Sequence, residues 1–227
     1  MVGPFQCNCK IIVCPVTGES AIIDAGDESE KIIAALEKIE WKSADGKSLK
    51  PNVRFLLHTH AHLDHIGGTR GVSEWVSKKE KAAPARALHR GDLFIYEKLQ
   101  EQGSRFGFTY EPPLPIDHFL EHEERLEIGK LRFSVIHTPG HSPGGVGFRL
   151  HEDTSLGVRE TVYSGDTLFQ GSVGRTDLWG ADADLMFKMI KERFLTLDGD
   201  TRVCPGHGPE TQIGIEKRVN PYVGNQR

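Results

Sequence analysis

Apolar positions along the chain fall into short runs of two periods. Lys10 to Cys14 and Ala21 to Asp24 are β-branched runs separated by Val16-Thr17-Gly18-Glu19, which predicts a hairpin. Between 28 and 40, Ile32, Ile33, Leu36 and Ile39 recur at helical spacing and predict an amphipathic helix. Val53 to Leu57 is an apolar run ending at His58, the pattern of a strand buried inside a sheet. Ala83 to Leu88 predicts another strand and Asp92 to Gln102 a helix. The stretch Gly103 to His118, with Pro112, Pro113 and Pro115, predicts a loop. Leu126, Ile128, Leu131, Phe133 and Val135 alternate with polar residues across Gly129-Lys130, which predicts a second hairpin over Arg125 to His137. Val146 to Leu150, Thr161 to Tyr163 and Thr201 to Cys204 read as further strands. Leu185, Met186, Met189, Ile190 and Phe194 form the apolar stripe of a helix over 183–197, and Ile213 to Val219 is a last helix stopped before Pro221. Strands with helices at intervals, repeated in two halves, predict an α/β fold: sheets packed on each other, helices outside, one domain.

Charge narrows the class. A net charge of −4 is poor footing for a protein that neutralises phosphates, so no nucleic-acid partner is expected. The dense basic stretch Lys78-Lys79-Glu80-Lys81 reads as a solvated helix end or loop. Met1 to Val13 has no charged-then-apolar leader pattern, and no run approaches the ~18 apolar residues of a membrane span, so a cytoplasmic protein with no membrane partner is expected. Cys7, Cys9, Cys14 and Cys204 match no common zinc-ribbon spacing. Cys7 and Cys9 would lie on one face of a strand as reduced thiols.

The chemistry is concentrated in His60-x-His62-x-Asp64-His65. Imidazoles and carboxylates are donors that zinc and iron accept, and four of them in six residues directly after a buried strand place them on one tight loop. Thr138-Pro139-Gly140-His141, Ser164-Gly165-Asp166-Thr167 and Cys204-Pro205-Gly206-His207-Gly208 repeat the theme: a strand-like run, a Gly-bearing turn, one His or Asp. Alone, each of these three reads more readily as a turn; together with the loop cluster they point to metal. His58, His89, His118, His122, His137 and His151 stand outside these motifs and read as structural or surface residues, with His58 placed to steer a ligand.

This set of motifs resembles the metallo-β-lactamase superfamily over essentially the whole chain, which implies a single-domain, four-layer αββα sandwich spanning 1–227. The resemblance implies that His60, His62 and His141 bind a first metal, that Asp64, His65 and His207 bind a second, and that Asp166 bridges the two. Gly165-Asp166-Thr167-Leu168-Phe169, Gly171 to Asp177 and the tail from Cys204 to Arg218 look like the short members of the glyoxalase II and hydroxyacylglutathione hydrolase-like branch. That likeness implies hydrolysis of a small-molecule thioester, S-D-lactoylglutathione or a related acyl-glutathione, by a hydroxide shared between two divalent ions. Zinc is the expected ion, with iron or manganese also compatible. Asp64 would both ligate and orient the hydroxide, and Ser142 and Ser172 are turn residues rather than nucleophiles. Arg175 either pairs with Asp177 or binds a substrate carboxylate. Glyoxalase II carries a helical domain after its last metal histidine, whereas 20 residues follow His207 here. Residues 73–122 are read as an insertion that covers the site in its place. The rival reading is a mononuclear iron persulfide dioxygenase of the same fold, using His60, His141 and Asp166; Gly206-His207-Gly208 favours a filled second site instead.

Overall fold

The computed structural model describes residues 1–42 and 46–225. Strand β1 (Lys10–Val13) runs antiparallel to β2 (Glu19–Ile23), as the hairpin pattern predicts. Helix α1 (Ser29–Lys38) and a small pair, β3 (Trp41–Lys42) with β4 (Ser48–Leu49), lead to the central strand β5 (Asn52–Leu57). Next come α2 (Leu63–Ile66), α3 (Thr69–Glu80), β6 (Ala85–His89), α4 (Leu93–Tyr96), α5 (Leu99–Ser104) and β7 (His118–Leu120). The first sheet has the order β1-β2-β5-β6-β7, parallel from β2 onward.

The second half contributes β8 (Arg125–Ile128), β9 (Leu131–His137), β10 (Val146–Leu150) and β11 (Thr161–Gly165). A two-residue hairpin follows, β12 (Leu168–Phe169) with β13 (Ser172–Val173), then α6 (Ala183–Met189), which continues as a π-helical turn over Ile190–Phe194. Strand β14 (Arg202–Pro205), β15 (Thr211–Gln212) and α7 (Ile213–Val219) complete it. The second sheet has the order β15-β14-β11-β10-β9-β8.

Alternation along the strands sorts side chains between layers. Ala21, Ile23 and Leu57 of the first sheet meet Phe133, Val135, Phe148 and Tyr163 of the second in the core between the sheets. The outward Ile22 and Leu56 pack under Ile32 and Leu36 of α1 and Val72 and Val76 of α3. On the far side, Ile136, Val162 and Val203 pack under Met186, Ile190 and Phe194. The result is the αββα sandwich. Among the described residues no helix is long and apolar enough to cross a membrane.

The basic run at 78–81 is a solvated helix end, as expected, and closes α3, whose buried face is Thr69, Val72, Ser73 and Val76. Three local readings differ. The helix expected over 92–102 is broken into α4 and α5, because the Ile95 carbonyl accepts from Lys98 N and from the Gln102 side chain, so the helical ladder is interrupted there. The span 73–122 is not one insertion: β6 and β7 are integral strands of the first sheet, and Gln102 to Phe106 is the part that faces the predicted ligands. Cys7 and Cys9 precede β1 rather than sharing a strand; Cys7 forms an isolated bridge with Val2 and is fully buried.

Candidate metal centre

Every predicted ligand stands just beyond the C-terminal end of a strand: His60 to His65 after β5, His141 after β9, Asp166 after β11 and His207 after β14. Because these strand ends lie along one edge of the two sheets, residues up to 147 positions apart in sequence converge, from His60 to His207. The approach of the last loop depends on glycine. A Cβ on Gly206 would stand 2.2 Å from Asp166 Oδ1 and 2.7 Å from His65 Cε1, so any side chain there would push the loop off the site.

The donors form overlapping groups. His60, His62 and His141 make one triad, Asp64, His65 and His207 another, and His60, His65 and Asp166 a third; within each, the donor atoms lie within 4.8 Å of one another. His62 Nδ1 is 2.9 Å from His141 Nε2, and His65 Nε2 is 3.2 Å from His207 Nε2. Asp166 sits between the two halves, with Oδ1 3.4 Å from His65 Nε2 and Oδ2 3.8 Å from His141 Nε2 and 3.5 Å from His207 Nε2. Asp64 Oδ2 lies 3.1 Å from His207 Nε2.

The partners of the ligands fix which nitrogen is bare. Asp24 accepts from Thr59 N and Thr59 Oγ1, each at 2.7 Å, and from His65 Nδ1 at 2.9 Å. With its own hydrogen committed to Asp24, Thr59 Oγ1 accepts from His60 Nδ1 at 3.1 Å. His141 Nδ1 donates to the Arg175 carbonyl at 2.7 Å. Each bond leaves an Nε2 lone pair directed into the centre. Asp92 ties two ligand loops together, accepting from Ala61 N, Ser142 Oγ and Gly144 N. Neither Asp24 nor Asp92 stands out in the sequence: Asp24 is a lone carboxylate closing a strand-like run, and Asp92 reads as the first residue of a helix. His58 does not steer a ligand. It is buried, bonded to the Ala87 carbonyl and Thr69 Oγ1, and joins β5 to β6 and α3. Ser142 serves Asp92, as a turn residue would. The Arg175 side chain pairs with Asp177 at 2.6 Å while bordering the cavity above the ligands.

Electrostatics divide the site. Burial, then His65, His62 and His141, hold His60 well below the ordinary imidazole range, and burial with His141 pushes His62 to about 3. Burial also lowers His141. These three are neutral donors at physiological pH. In the other half, burial opposes a charged His65, yet Cys7 and the carboxylates of Asp166, Asp64 and Asp24 raise it well above 6.5. His207 is raised against its burial by Asp64 and Asp166. Asp64 is held below the usual carboxylate range by His65 and His207, which outweigh its burial. Protons gather where negative charge calls for a cation. Two buried atoms among the ligands, His60 Nε2 and Asp166 Oδ1, have no hydrogen-bond partner, a costly state for a polar atom that a cation would relieve. Neutral imidazoles, bare lone pairs and an unpartnered carboxylate oxygen fit divalent ions, His60, His62 and His141 facing one, Asp64, His65 and His207 a second, with Asp166 within reach of both.

A family model described as the metallo-beta-lactamase superfamily matches residues 2–207, with every one of these donors inside the match. The chain belongs to the metallo-β-lactamase superfamily. It is a metallo-hydrolase of that superfamily, built to work with divalent metal ions. It is 34% identical to the hydroxyacylglutathione hydrolase GloC of Haemophilus influenzae, across 99% of this chain and 96% of that protein. Among solved structures, it is similar to TTHA1623 in a di-iron-bound form, 38% identical with a TM-score of 0.75 and 97% of each chain covered. It is also similar to the B3 metallo-β-lactamase BLEG-1, 35% identical with a TM-score of 0.80, covering 98% of this chain and 96% of that one.

Proposed function

We propose that this metallo-hydrolase cleaves a small-molecule thioester, S-D-lactoylglutathione or a related acyl-glutathione, with two divalent ions, zinc foremost and iron or manganese as substitutes. The observation that carries the reading is the pair of triads with Asp166 between them. The likeness to a hydroxyacylglutathione hydrolase supports the substrate class. We place the protein in the cytoplasm, where its four free cysteines would persist as thiols.

Divalent ions held here supply Lewis acidity toward the thioester carbonyl and bring the pKa of water to about 7. The chain's residues do the rest. His60, His62 and His141 stay neutral and give no proton to the reaction. Asp64 accepts a hydrogen bond from the attacking water and so orients it. Asp24 and the Arg175 carbonyl hold His65 and His141 against rotation. The leaving thiolate, of pKa roughly 8.5, needs no general acid, and the site offers none beyond water.

Elemental analysis of protein purified without chelator or oxygen, followed by thiol-release assays on S-D-lactoylglutathione, tests the reading. Close to two metals per chain and metal-dependent thiol release are expected. One iron per chain, no thioester cleavage and oxygen uptake with glutathione persulfide would replace it with the dioxygenase. Cleavage of a β-lactam in preference to every thioester would replace the substrate class.

A further inference from the structure

Above the ligands opens a cavity of about 280 Å³ whose floor includes His62, Asp64, His141 and Asp166. Its walls come from three segments distant in sequence: the turn before β1, the loop after α5 and the loop between β13 and α6. Each contributes large apolar side chains left open to solvent, Phe5, Phe106 and Leu178, and Trp179 stands beside Leu178. Phe106 is 56% exposed and contacts Phe5 edge to face at 5.2 Å between ring centroids. Concentrating exposed apolar side chains around one mouth marks a binding surface rather than a by-product of folding.

The cations at this mouth are engaged with groups of this chain, Arg105 and Lys98 sharing Glu101 and both lying over Trp179. Arg105 pairs with Glu101 at 2.9 Å and lies over the Trp179 ring, 4.1 Å from its centroid, and Arg175 pairs with Asp177. A peptide-like thiol carrier brings carboxylates and amides, which lose hydration against an apolar wall without gaining partners. The acyl half of a thioester has no such need. Its carbonyl carbon must stand over the metal ligands, which brings its acyl substituent, like the thioester sulfur, within reach of the wall.

Building on the thioester reading, we propose that Phe5, Phe106, Leu178 and Trp179 form the acyl pocket, and that the preferred substrate carries a bulky apolar acyl group, aryl or branched, rather than lactoyl. Replacing methyl by phenyl adds several apolar carbons, so even partial burial against these side chains favours the larger group by on the order of tenfold in kcat/KM.

The test compares S-D-lactoylglutathione with S-D-mandeloylglutathione, which differ by phenyl for methyl, on the metal-loaded enzyme. The mandeloyl ester is expected to have about tenfold higher kcat/KM. Phe106→Ala and Trp179→Ala should each bring the ratio down toward one, mainly through KM, while Phe106→Leu retains most of it. Val16→Ala, an exposed apolar residue in the β1–β2 turn, should leave both values unchanged. A wild-type ratio near one, or a ratio that neither alanine variant moves, overturns the acyl pocket and leaves the hydrolase standing. Cleavage of neither ester overturns the thioester reading, and the acyl pocket with it.

Discussion

Asp24 sets both a ligand loop and a ligand ring, through Thr59 N, Thr59 Oγ1 and His65 Nδ1. Removing such a support from a metal-bound imidazole typically costs 10–100-fold in affinity. Asp24→Ala is therefore expected to weaken binding at the Asp64–His65–His207 position by about that factor, read by competition with a chromophoric chelator; unchanged affinity would show that packing alone orients His65. Asp92 works on the backbone instead. Burial pushes its carboxyl up to about 6, against the three hydrogen bonds it accepts, so it is kept for the loops it joins rather than for its charge. Asp92→Ala leaves Ala61 N, Ser142 Oγ and Gly144 N buried without an acceptor, and at ~1–3 kcal/mol for a buried unpaired donor the expected loss in urea unfolding is about 3 kcal/mol. Glycine matters in a third way. Gly206→Ala, with its Cβ driven onto Asp166 and His65, should lose metal, whereas Gly208→Ala meets nothing within 4 Å and costs only the strain of φ +72°, about 1 kcal/mol. Metal analysis of the two purified variants separates proximity from conformation; equal metal content in both would mean the loop simply shifts.

The two sheets meet beside the ligands through a pair of rings: His89 closes β6, His137 closes β9, and they stack at 3.9 Å and 18°. Burial and His137 hold His89 near 4, and burial lowers His137. A histidine depressed in the native state binds fewer protons there than in the unfolded chain, so its contribution is complete above pH 6.5 and is lost as pH falls from 6.5 toward 4. His89→Asn keeps an acceptor for Gly91 N but cannot be protonated. Its melting temperature is expected to fall less than that of the wild type across that interval, and parallel pH profiles would remove the stacked pair from the account. Neither histidine announces this in the sequence, because the contact depends on which strand ends become neighbours. The strands themselves were legible from β-branched runs, and the ligands from four donors in six residues after such a run, a density no turn requires. Helix α3 was less legible, since Val72, Trp75 and Val76 are outnumbered on its surface by Arg70, Glu74 and Lys78 to Lys81. Asp24 and Asp92 were not, because a single carboxylate closing a strand or opening a helix looks the same whether it caps a turn or braces a ligand loop.

At the scale of the whole molecule, the fold gathers Asp24, Asp64 and Asp166 around one partly dry edge, and their repulsion must be answered by either cations or protons. Without metal, His65, raised well above 6.5, and His207, also raised, carry those protons. A histidine raised in the native state contributes stability below pH 6.5 that is lost as pH rises through its native value. The apo protein should therefore weaken as pH climbs above about 6.5. His60 and His62, depressed instead, are neutral in the native state throughout and in the unfolded chain above about pH 7.5, so they contribute no slope over the upper part of this interval. The metal-loaded protein has no such weakness, since the ions replace the protons and bind better as ligands deprotonate. An ion present at a hundred times its dissociation constant adds about 2.7 kcal/mol. In a chain of this size 1 kcal/mol moves the midpoint by about 2–4 °C, so each ion is worth roughly 5–10 °C. Melting curves with and without chelator at pH 6.5, 7.5 and 9 are expected to show a gap of that order that widens with pH, driven mainly by the apo curve. A gap that stays constant would mean that His65 and His207 do not hold protons in place of metal. A gap that narrows would mean that the apo protein gains stability as pH rises, so that the depressed His60, His62 and His141 outweigh His65 and His207, and would reverse the electrostatic reading of the acidic half of the site.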